Sequence, residues 1–362
     1  MSIELWKLIA TNSYPIKNTP WTLTGFSRAA RNTFIYIPEL GIAFDAGLAT
    51  EVSPTHIFIS HAHIDHVGEL YKYFIDPANG TPTVIIPKPS AVYIRNFVQS
   101  AIQMTKHNFL ININWNVIEA SNPTFATLEP VYLPNYMIIK NIKFMIELFK
   151  CSHTITTTGY GLIEIRSKLK TEYKDLSQSE INALKNDGVQ ICDEILYHHF
   201  CYLGDTDHHI LYTDKMSTRF NPNLEKYNTI MIECTFLYSD KTKQAKKNKH
   251  MLWDNLRPFI EAHPNITFIL YHFSMCYRDK EIIRFFENIN LPNVIPLVSD
   301  FEKLYTDAVI NMILNNNYTC TNLICNALNI NQIEQNINHK YNNDNNNDYV
   351  DDDDYECCYI SE

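Results

Sequence analysis

Short strand-like runs alternate with segments of helical spacing along most of the chain. The runs "NTFIYIP", "IAFDAG" and "HIFIS" come first, and "TVIIPKPS" follows a helix expected to begin near Val67. Residues 89 to 107 open with proline in the first turn, which predicts a second helix. Its apolar positions near helical spacing are Val92, Phe97, Ile102 and Met104.

Strand character returns in the middle of the chain, in "IKFMIELFKCSHT" and "TTGYGLIEI". The next segment, "LSQSEINALKNDG", has Ser177 three residues before Glu180 and a closing glycine, which predicts a capped helix inserted between two strands. The later runs "HHFCYLGD", "NTIMIEC" and "ITFILYHFS" each end in a polar residue capable of chemistry. An α/β fold follows, with these strand ends converging on one rim.

The composition changes near the C-terminus. From residue 315 onward the chain is rich in Asn and Asp and has no sustained apolar period, which predicts a disordered tail. We therefore expect one domain over residues 1 to 312 and a tail over 313 to 362. The tail carries nine acids and one base, so it accounts for −8 of the formal net charge of −10. The nearly neutral remainder neither supports nor excludes an anionic substrate.

Cysteine usage and the N-terminus favour an intracellular protein. The nine cysteines include no Cys-x-x-Cys pair, and the start "MSIELWKLIA" lacks the basic region and long apolar core of a signal peptide. No apolar run approaches the roughly eighteen residues of a membrane-spanning helix. We expect a reducing location, the cytoplasm or alternatively the nucleus, and no membrane contact.

The segment "ISHAHIDHVG", residues 59 to 68, places three histidines and an aspartate directly after a strand-like run. Neutral imidazole is the commonest protein ligand for zinc, and an added carboxylate suits a second ion close by. The pattern therefore predicts a site for two metal ions. The alternative is a polar surface loop without a metal.

This His-x-His-x-Asp-His segment after a strand resembles the signature of the metallo-β-lactamase superfamily. The order of motifs over residues 25 to about 300 more closely resembles short-form ribonuclease Z, and the plant short forms most. The resemblance implies a four-layer αββα sandwich and two zinc ions, with manganese or magnesium as alternatives. It also implies a homodimer that cleaves the 3′ trailer of precursor transfer RNA with a metal-bridging hydroxide, leaving a 3′-hydroxyl and a 5′-phosphate.

The resemblance also implies a set of metal ligands. His61, His63 and His153 would hold one ion. Asp65, His66 and His272 would hold the other, and Asp205 would bridge the two. A single histidine such as His153 is more typically a hydrogen-bonded core residue, so only the company of the others favours a ligand.

Further residues match positions that support the chemistry in ribonuclease Z. Asp45 in "IAFDAG" resembles an aspartate that fixes ligand histidines from behind, although a plain turn at a strand end is the alternative. Asp65 would orient the nucleophile. Glu233 and His250 would together protonate the leaving oxygen. Lys249 stands where a glycine usually precedes this histidine, and a solvated helix face is the alternative for His250.

Candidate RNA contacts lie in two loops and an insertion. The stretch "SRAARN" resembles the basic loop of the family, and "HFSMCYRD" retains two of its residues but has Cys276 in place of an arginine. The expected phosphate or RNA contacts are Arg28, Arg31, Asn32, Ser274 and Tyr277. The insertion over residues 164 to 196 sits where the family carries its RNA-gripping arm. Exposed arginines on a turn and a solvated charged edge are the alternatives.

Other functions remain open on the residues alone. A metal-dependent hydrolase of broader specificity, acting on RNA in general or on lactams or thioesters, would use the same ligands. A silent RNA-binding relative would not need the full ligand set. Glu233, His250 and the loop at Arg28 favour the endoribonuclease, because a carbonyl hydrolase has no need for them.

Overall fold

Two mixed β-sheets of similar plan form the body of the protein. The computed structural model describes residues 12–75, 80–110, 113, 115–121, 129–213 and 217–298. These residues belong to one compact unit, Met1–Ser299. The expected domain end at residue 312 and the acidic tail lie outside the described residues and stay predictions.

The first sheet contains seven strands in chain order. They are β1 (Tyr14–Pro15), β2 (Thr22–Arg28), β3 (Asn32–Ile37), β4 (Ile42–Phe44), β5 (His56–Phe58), β6 (Thr83–Pro87) and β7 (Asn116–Ala120). The pairs from β1 to β4 are antiparallel, and those from β4 to β7 are parallel.

The second sheet follows the order β15-β14-β13-β12-β11-β10-β8, with β9 paired to β10. Its strands are β8 (Val131–Tyr132), β9 (Met137–Ile139), β10 (Ile142–Cys151), β11 (Thr157–Leu169), β12 (Cys192–Tyr202), β13 (Thr229–Glu233), β14 (Thr267–Tyr271) and β15 (Val294–Pro296). The pairs β10–β11 and β11–β12 are antiparallel, and β12 to β15 are parallel. Strands β10, β12, β13 and β14 therefore run in one direction and end at one edge.

Aromatic side chains fill the space between the two sheets. The ring of Phe44 lies 4.8 Å from that of Tyr202, and Phe58 lies 5.2 Å from Tyr160, measured between centroids. Each pair joins a strand of the first sheet to a strand of the second. All four side chains are fully buried. At about 25 cal/mol per Å² of apolar surface, this layer is a major source of stability.

The body and its insertion contain seven helices among the described residues. They are α1 (Ile64–Val67), α2 (Lys72–Ile75), α3 (Ala91–Thr105), α4 (Gln178–Asn186), α5 (Thr242–Asn248), α6 (Trp253–Ala262) and α7 (Asp279–Ile289). Helices α6 and α7 pack on the second sheet through Trp253, Phe259 and Phe286. On the first sheet, Arg95 of α3 pairs with Glu119 of β7 at 3.0 Å. The predicted α/β fold, a four-layer αββα sandwich, is confirmed.

Two helix predictions differ from the structure in detail. The helix expected near Val67 begins at Ile64, inside the histidine segment. Helix α3 occupies the predicted region, but its buried residues are Ala91, Ile94, Val98 and Ile102. Val92 and Met104 are exposed, because the face of the helix that packs on the sheet is the one that carries Ile94 and Val98.

The helix predicted in the insertion is confirmed as α4. The side chain of Ser177 accepts a hydrogen bond from the backbone N–H of Glu180, and the Glu180 carboxylate accepts one from the N–H of Ser177. This reciprocal pair supplies partners for two helix-end donors. The helix lies between β11 and β12 and has no buried residue. No helix in the described part of the chain combines the length and apolar character that crossing a bilayer requires.

Candidate metal centre

Four of the predicted ligands lie close together after β5, with His61 and His63 in the connecting segment and Asp65 and His66 in α1. His61 and His66 are fully buried, whereas His63 and Asp65 are partly exposed. His63 caps α1 in an extended conformation, so the chain turns sharply between His61 and His66. The rings of these two histidines lie 4.1 Å apart between centroids. One turn therefore supplies several nitrogen and oxygen atoms to the same small region.

The remaining three predicted ligands follow strands of the second sheet. His153 comes two residues after β10, Asp205 three residues after β12 and His272 directly after β14. These strands share one direction, so their ends lie at the same edge of the sheet. Both sheets present that edge to a common cleft, which is why residues far apart in the sequence meet.

Asp205 lies at the centre of the cluster. Its Oδ2 is 3.6 Å from Nε2 of His61, 3.8 Å from Nε2 of His153 and 3.4 Å from Nε2 of His272. Its Oδ1 is 3.5 Å from Nε2 of His66. One carboxylate therefore reaches histidines of both predicted ligand groups.

The other contacts lie on two sides of Asp205. His63 Nδ1 lies 3.1 Å from Nε2 of His61 and 3.3 Å from Nε2 of His153. His272 Nε2 lies 3.3 Å from Nε2 of His66 and 3.5 Å from Asp65 Oδ2. The structure thus brings all seven predicted ligands together, in two groups that share the position of Asp205.

Burial favours the neutral ring in the first group of histidines. It lowers the pKa values of His61 and His63 and brings that of His153 to about 4. Neutral imidazole is the form that binds a metal ion. These three histidines therefore need no deprotonation before they bind a cation near neutral pH.

The second group carries more negative charge. Burial opposes the charged ring of His66, but Asp205, Asp65 and Asp45 raise its pKa well above the usual value. Burial likewise opposes charge on Asp65, yet His66 and His272 bring the pKa of Asp65 to about 2. His66 therefore carries a proton in the absence of metal. A bound cation would displace this proton, because a histidine that binds a metal ion is neutral.

The donor set fits a pair of divalent metal ions. Oδ1 of Asp205 is buried and has no hydrogen-bond partner among the described residues. A buried carboxylate oxygen without a donor is costly, and a metal ion would satisfy it. Nitrogen and oxygen ligands in this ratio suit zinc, and the carboxylates also admit harder ions such as manganese or magnesium.

Asp45 supports the cluster from behind. Its carboxylate accepts hydrogen bonds from the N–H of Ser60 at 2.7 Å, the hydroxyl of Ser60 at 2.9 Å and the hydroxyl of Tyr202 at 2.5 Å. It also contacts Nδ1 of His66 at 2.8 Å, which directs Nε2 of that ring toward Asp205. Ser60 Oγ in turn lies 2.9 Å from Nδ1 of His61. Asp45 thereby orients one histidine directly and another through Ser60.

Asp45→Asn is expected to weaken metal binding by about 10- to 100-fold while leaving the ligand set intact. The amide keeps the size of the carboxylate but removes the negative charge that fixes the tautomer of His66. Competition with a chromophoric chelator measures the affinity. Asp193→Asn, at an exposed position of the insertion, is the matched control. Equal affinities in both variants would contradict the role given to Asp45.

Gly47 lets the chain after Asp45 lie directly against the histidine segment. A Cβ atom on Gly47 would lie 1.7 Å from the carbonyl oxygen of Asp65, which no side chain allows. Ala46 donates to the carbonyl of His66 at 2.7 Å, so the two backbones are in direct contact. Close packing of backbones, and not turn geometry, requires glycine here.

Gly47→Ala is expected to displace Asp65 and His66, destabilise the fold by about 1–3 kcal/mol and reduce the metal content. Thermal denaturation and metal analysis of the purified variant measure the two effects. Gly80→Ala is the control, because nothing lies within 4 Å of the Cβ that it would add. A Gly47 variant with full metal content would show that the segment moves freely.

Glu233 and His250 form a buried pair beside the cluster. His250 Nδ1 lies 2.8 Å from Glu233 Oε1, which also accepts from the N–H of Thr206 at 2.7 Å. Oε2 of Glu233 accepts from the N–H of Met251 at 3.0 Å and from the hydroxyl of Thr235. Burial opposes the charged ring of His250, but Glu233 raises its pKa to about 9.

The ring of His250 faces the ligand histidines. Its centroid lies 4.9 Å from that of His153 and 5.3 Å from that of His272. Potential ligand atoms of Asp205, Glu233, His250 and His272 lie within 4.8 Å of one another. The pair is therefore close enough to exchange a proton with a group held at the cluster.

Lys249 has a backbone conformation that favours glycine. It ends α5 in the left-handed conformation, with φ 52° and ψ 51°, which glycine adopts without strain. Its carbonyl lies 3.3 Å from His153 Nδ1, and its ammonium donates to the carbonyl of His153 at 3.1 Å. Lys249 therefore adopts a backbone conformation that is strained for a non-glycine residue. Its side chain in turn contacts the backbone of His153.

Sequence reasoning missed several supporting residues. Thr235 Oγ1 lies 3.2 Å from Nδ1 of His272, and Ser60 and Tyr202 hold Asp45 as described above. Thr235 lies two residues after Glu233, so its position was a usable signal. Tyr202 offered none, because a tyrosine at the end of a strand is common in a core.

The structure does not place the predicted RNA contacts together on an open surface. Arg28 is buried, pairs with Asp279 and donates to the carbonyls of Ser274 and Tyr277. Its guanidinium thus ties β2 to the segment after β14 and does not form the exposed phosphate fork that the motif suggests. Tyr277 is buried, and its hydroxyl accepts from the N–H of Leu237 at 3.2 Å.

The other predicted contacts differ in their surroundings. The side chain of Asn32 donates to the carbonyl of Gly47 and so supports the turn that follows β4. Ser274 is partly exposed and accepts from the N–H of Cys276 at 3.3 Å. Arg31 is exposed, with its guanidinium 5.8 Å from the ring centroid of Phe26. Arg31 is thus exposed, and Asn32 and Ser274 are partly exposed, although the side-chain amide of Asn32 is bound to Gly47.

Comparison with known proteins gives relatives over most of the chain. It is 29% identical over 286 residues to tRNase Z TRZ1 of Arabidopsis thaliana, across 77% of this chain and 92% of that protein. It is 30% identical over 181 residues to the nuclear ribonuclease Z of Triticum aestivum, across 48% of this chain and 93% of that protein. No family model matches the chain.

Among solved structures, human tRNase Z, short form, aligns with a TM-score of 0.43 and 16% identity. The alignment covers 75% of this chain and 93% of the human one. The resemblance that the motifs predicted, plant forms included, is confirmed by the two plant relatives.

Proposed function

The chain belongs to the ribonuclease Z family, hydrolytic endoribonucleases of the metallo-β-lactamase fold, and we propose that it removes the 3′ trailer of precursor transfer RNA. One observation carries the proposal. Seven histidine and aspartate side chains converge at one edge of the sandwich, and the Glu233–His250 pair lies directly beside them. The products would be a transfer RNA with a 3′-hydroxyl and a trailer with a 5′-phosphate.

We assign the metal ions to the two groups described above. His61, His63 and His153 would hold one ion, Asp65, His66 and His272 the other, and Asp205 would contribute to both. Bound zinc would supply Lewis-acid stabilisation of phosphate charge and lower the pKa of a coordinated water. Manganese or magnesium could replace one or both ions, because the carboxylates suit harder metals.

Asp65 is placed to orient the attacking water. Its carboxylate is 14% exposed, and its low pKa keeps it ionised at every pH at which RNA is stable. An ionised carboxylate accepts a hydrogen bond from water and so fixes the direction of its lone pairs. Asp65 would therefore align water with the phosphorus atom, opposite the leaving oxygen.

His250 is placed to donate the proton to the leaving 3′ oxygen. With a pKa of about 9, its ring carries a proton at neutral pH. Glu233 accepts from Nδ1, which leaves Nε2 to face the substrate and fixes the ring. Such a donor prevents an unstable alkoxide from forming and typically contributes 10²–10⁴-fold to the rate.

RNA recognition, the homodimer and the intracellular location remain predictions. Arg31, Ser274 and the insertion are the surfaces through which we expect contact with the acceptor stem. A-form RNA is recognised mainly through its backbone and shape, which suits a protruding insertion. The insertion extends from the ends of β11 and β12 and carries Arg166, which pairs with Glu164 at 2.7 Å.

The proposed function is tested with an end-labelled precursor transfer RNA and the metal-loaded protein, with the cut position mapped. A single cut directly after the discriminator nucleotide supports ribonuclease Z activity. Scattered cuts would indicate a general ribonuclease. Absence of cutting, together with hydrolysis of a lactam or thioester, would instead support the carbonyl hydrolase of the same fold.

A further inference from the structure

A cavity of about 900 Å³ opens beside the candidate metal centre. His63 and His153 form one end of its wall, so a group bound there would lie next to the predicted ligands. The cavity is also lined by the start of α3 and by the segment that follows β10. Its volume is in the range of pockets that hold one small organic group.

The wall combines an aromatic ring with a cation. Tyr93 projects from the outer face of α3, and its side chain is 69% exposed. Lys249 lines the wall near His153, to whose carbonyl its ammonium donates. Because an ammonium has three N–H donors, this contact holds the charge in place and is compatible with an additional anionic partner.

We propose that this cavity, called here the flanking-nucleotide pocket, binds one unpaired nucleotide next to the scissile phosphate. Its base would stack on Tyr93, and Lys249 would pair with its phosphate. The proposal rests on the proposed function, because only an RNA substrate would place a nucleotide beside the metal centre. A stacking ring with a nearby cation is the usual recognition of single-stranded nucleic acid.

The shape and charge of the pocket favour a nucleotide over a neutral substrate. Lys246 and Lys247 are exposed on the same helix, so the side of the pocket near Lys249 is basic. A neutral lactam would gain nothing from this charge, whereas each neutralised phosphate releases counterions. Stacking on Tyr93 requires a base with a free face, which an unpaired nucleotide outside a helix offers.

Lys249 also links nucleotide binding to the centre. Its backbone carbonyl contacts the ring of His153, and its neighbour His250 is the proposed proton donor. A phosphate held by the ammonium would therefore lie close to the leaving oxygen. This gives a reason for a lysine at a backbone position that glycine would occupy with less strain.

The pocket is tested with substrates that lack one base. Precursor transfer RNAs are prepared with an abasic discriminator nucleotide or an abasic first trailer nucleotide. Tyr93→Ala is expected to lower kcat/KM about 5- to 150-fold on the intact substrate. On one of the two abasic substrates, wild type and Tyr93→Ala should cleave equally. Tyr93→Phe, which keeps the ring, should recover most of the loss, and Tyr136→Ala is the control for an exposed tyrosine elsewhere.

Suppose instead that Tyr93→Ala lowers kcat/KM by the same factor on both abasic substrates as on the intact one. The effects of the ring and of the base would then be independent, and the stacking contact would be overturned. Lys249→Met should reduce the slope of log affinity against log salt by about 0.7, the value for one phosphate of a single strand. Lys243→Met on the same helix is the control. An unchanged slope in Lys249→Met would overturn the phosphate contact.

A binding measurement separates this proposal from the proposed function. If wild type fails to cut precursor transfer RNA, the proposed function fails. Fluorescence anisotropy with a labelled single-stranded oligonucleotide then tests the pocket alone. Weaker binding by Tyr93→Ala, with recovery in Tyr93→Phe, would keep the pocket as a nucleotide site. Equal binding by all three proteins would overturn it.

Discussion

Asp205→Ala is expected to remove bound metal and to lower the cleavage rate by about 10³-fold or more. Asp205 reaches His61, His153 and His272 within 3.8 Å, so its loss weakens both proposed metal sites at once. Metal polarisation is worth several kcal/mol of transition-state stabilisation, and each 1.36 kcal/mol is tenfold in rate. A loss of ~4 kcal/mol gives the stated effect.

Metal analysis after dialysis and kcat/KM on labelled precursor transfer RNA measure this prediction. Asp240→Asn replaces an acid that is 68% exposed on the surface and should leave both quantities unchanged. Thermal denaturation shows whether the alanine variant is folded. A folded Asp205→Ala protein that keeps its metal and its activity would contradict the central position given to this residue.

Glu233→Gln is expected to move the alkaline limb of the rate profile to lower pH. The pKa of His250 is raised to about 9, so the proton donor is present below that pH and is lost as pH rises through it. Glutamine removes the charge that raises this pKa, while burial, which lowers it, remains. The donor is then lost at a lower pH, and the loss of rate is largest on the alkaline side.

The measurement is kcat/KM between pH 6 and 10 for wild type, Glu233→Gln and His250→Ala. His250→Ala should lose about 10²–10⁴-fold in rate and should lack the limb that Glu233→Gln displaces. An alkaline limb at the same pH in all three proteins would assign it to another group. Metal content is checked in each, because Glu233 and His250 lie close to Asp205.

The local part of the site could be predicted from the sequence. The segment from His61 to His66 concentrates four potential ligands within one turn, and such a pattern is visible without knowledge of the fold. His153 and His272 had no such signal, because isolated histidines are common in cores. Only the order of motifs in ribonuclease Z pointed to them, and the structure then places them beside the turn.

Long-range partners decided where prediction failed. Arg28 in a basic loop suggested an exposed phosphate contact, but its partner Asp279 lies 251 positions later in the chain. No residue near Arg28 in the sequence indicates that its partner is this carboxylate. The apolar face of α3 was predicted wrongly for a different reason. Two overlapping sets of apolar positions have helical spacing, and only packing against the sheet selects the set with Ile94 and Val98.

The separation of the cluster along the chain has a consequence for biosynthesis. His66 and His272 lie 206 positions apart yet face each other across 3.3 Å. A ribosome adds about 5–20 residues per second, so the emerging chain spends on the order of ten seconds or more with its first histidines made and the last one missing. The complete ligand set therefore exists only after β14 and His272 have left the ribosome, and a full complement of metal would bind only late in synthesis.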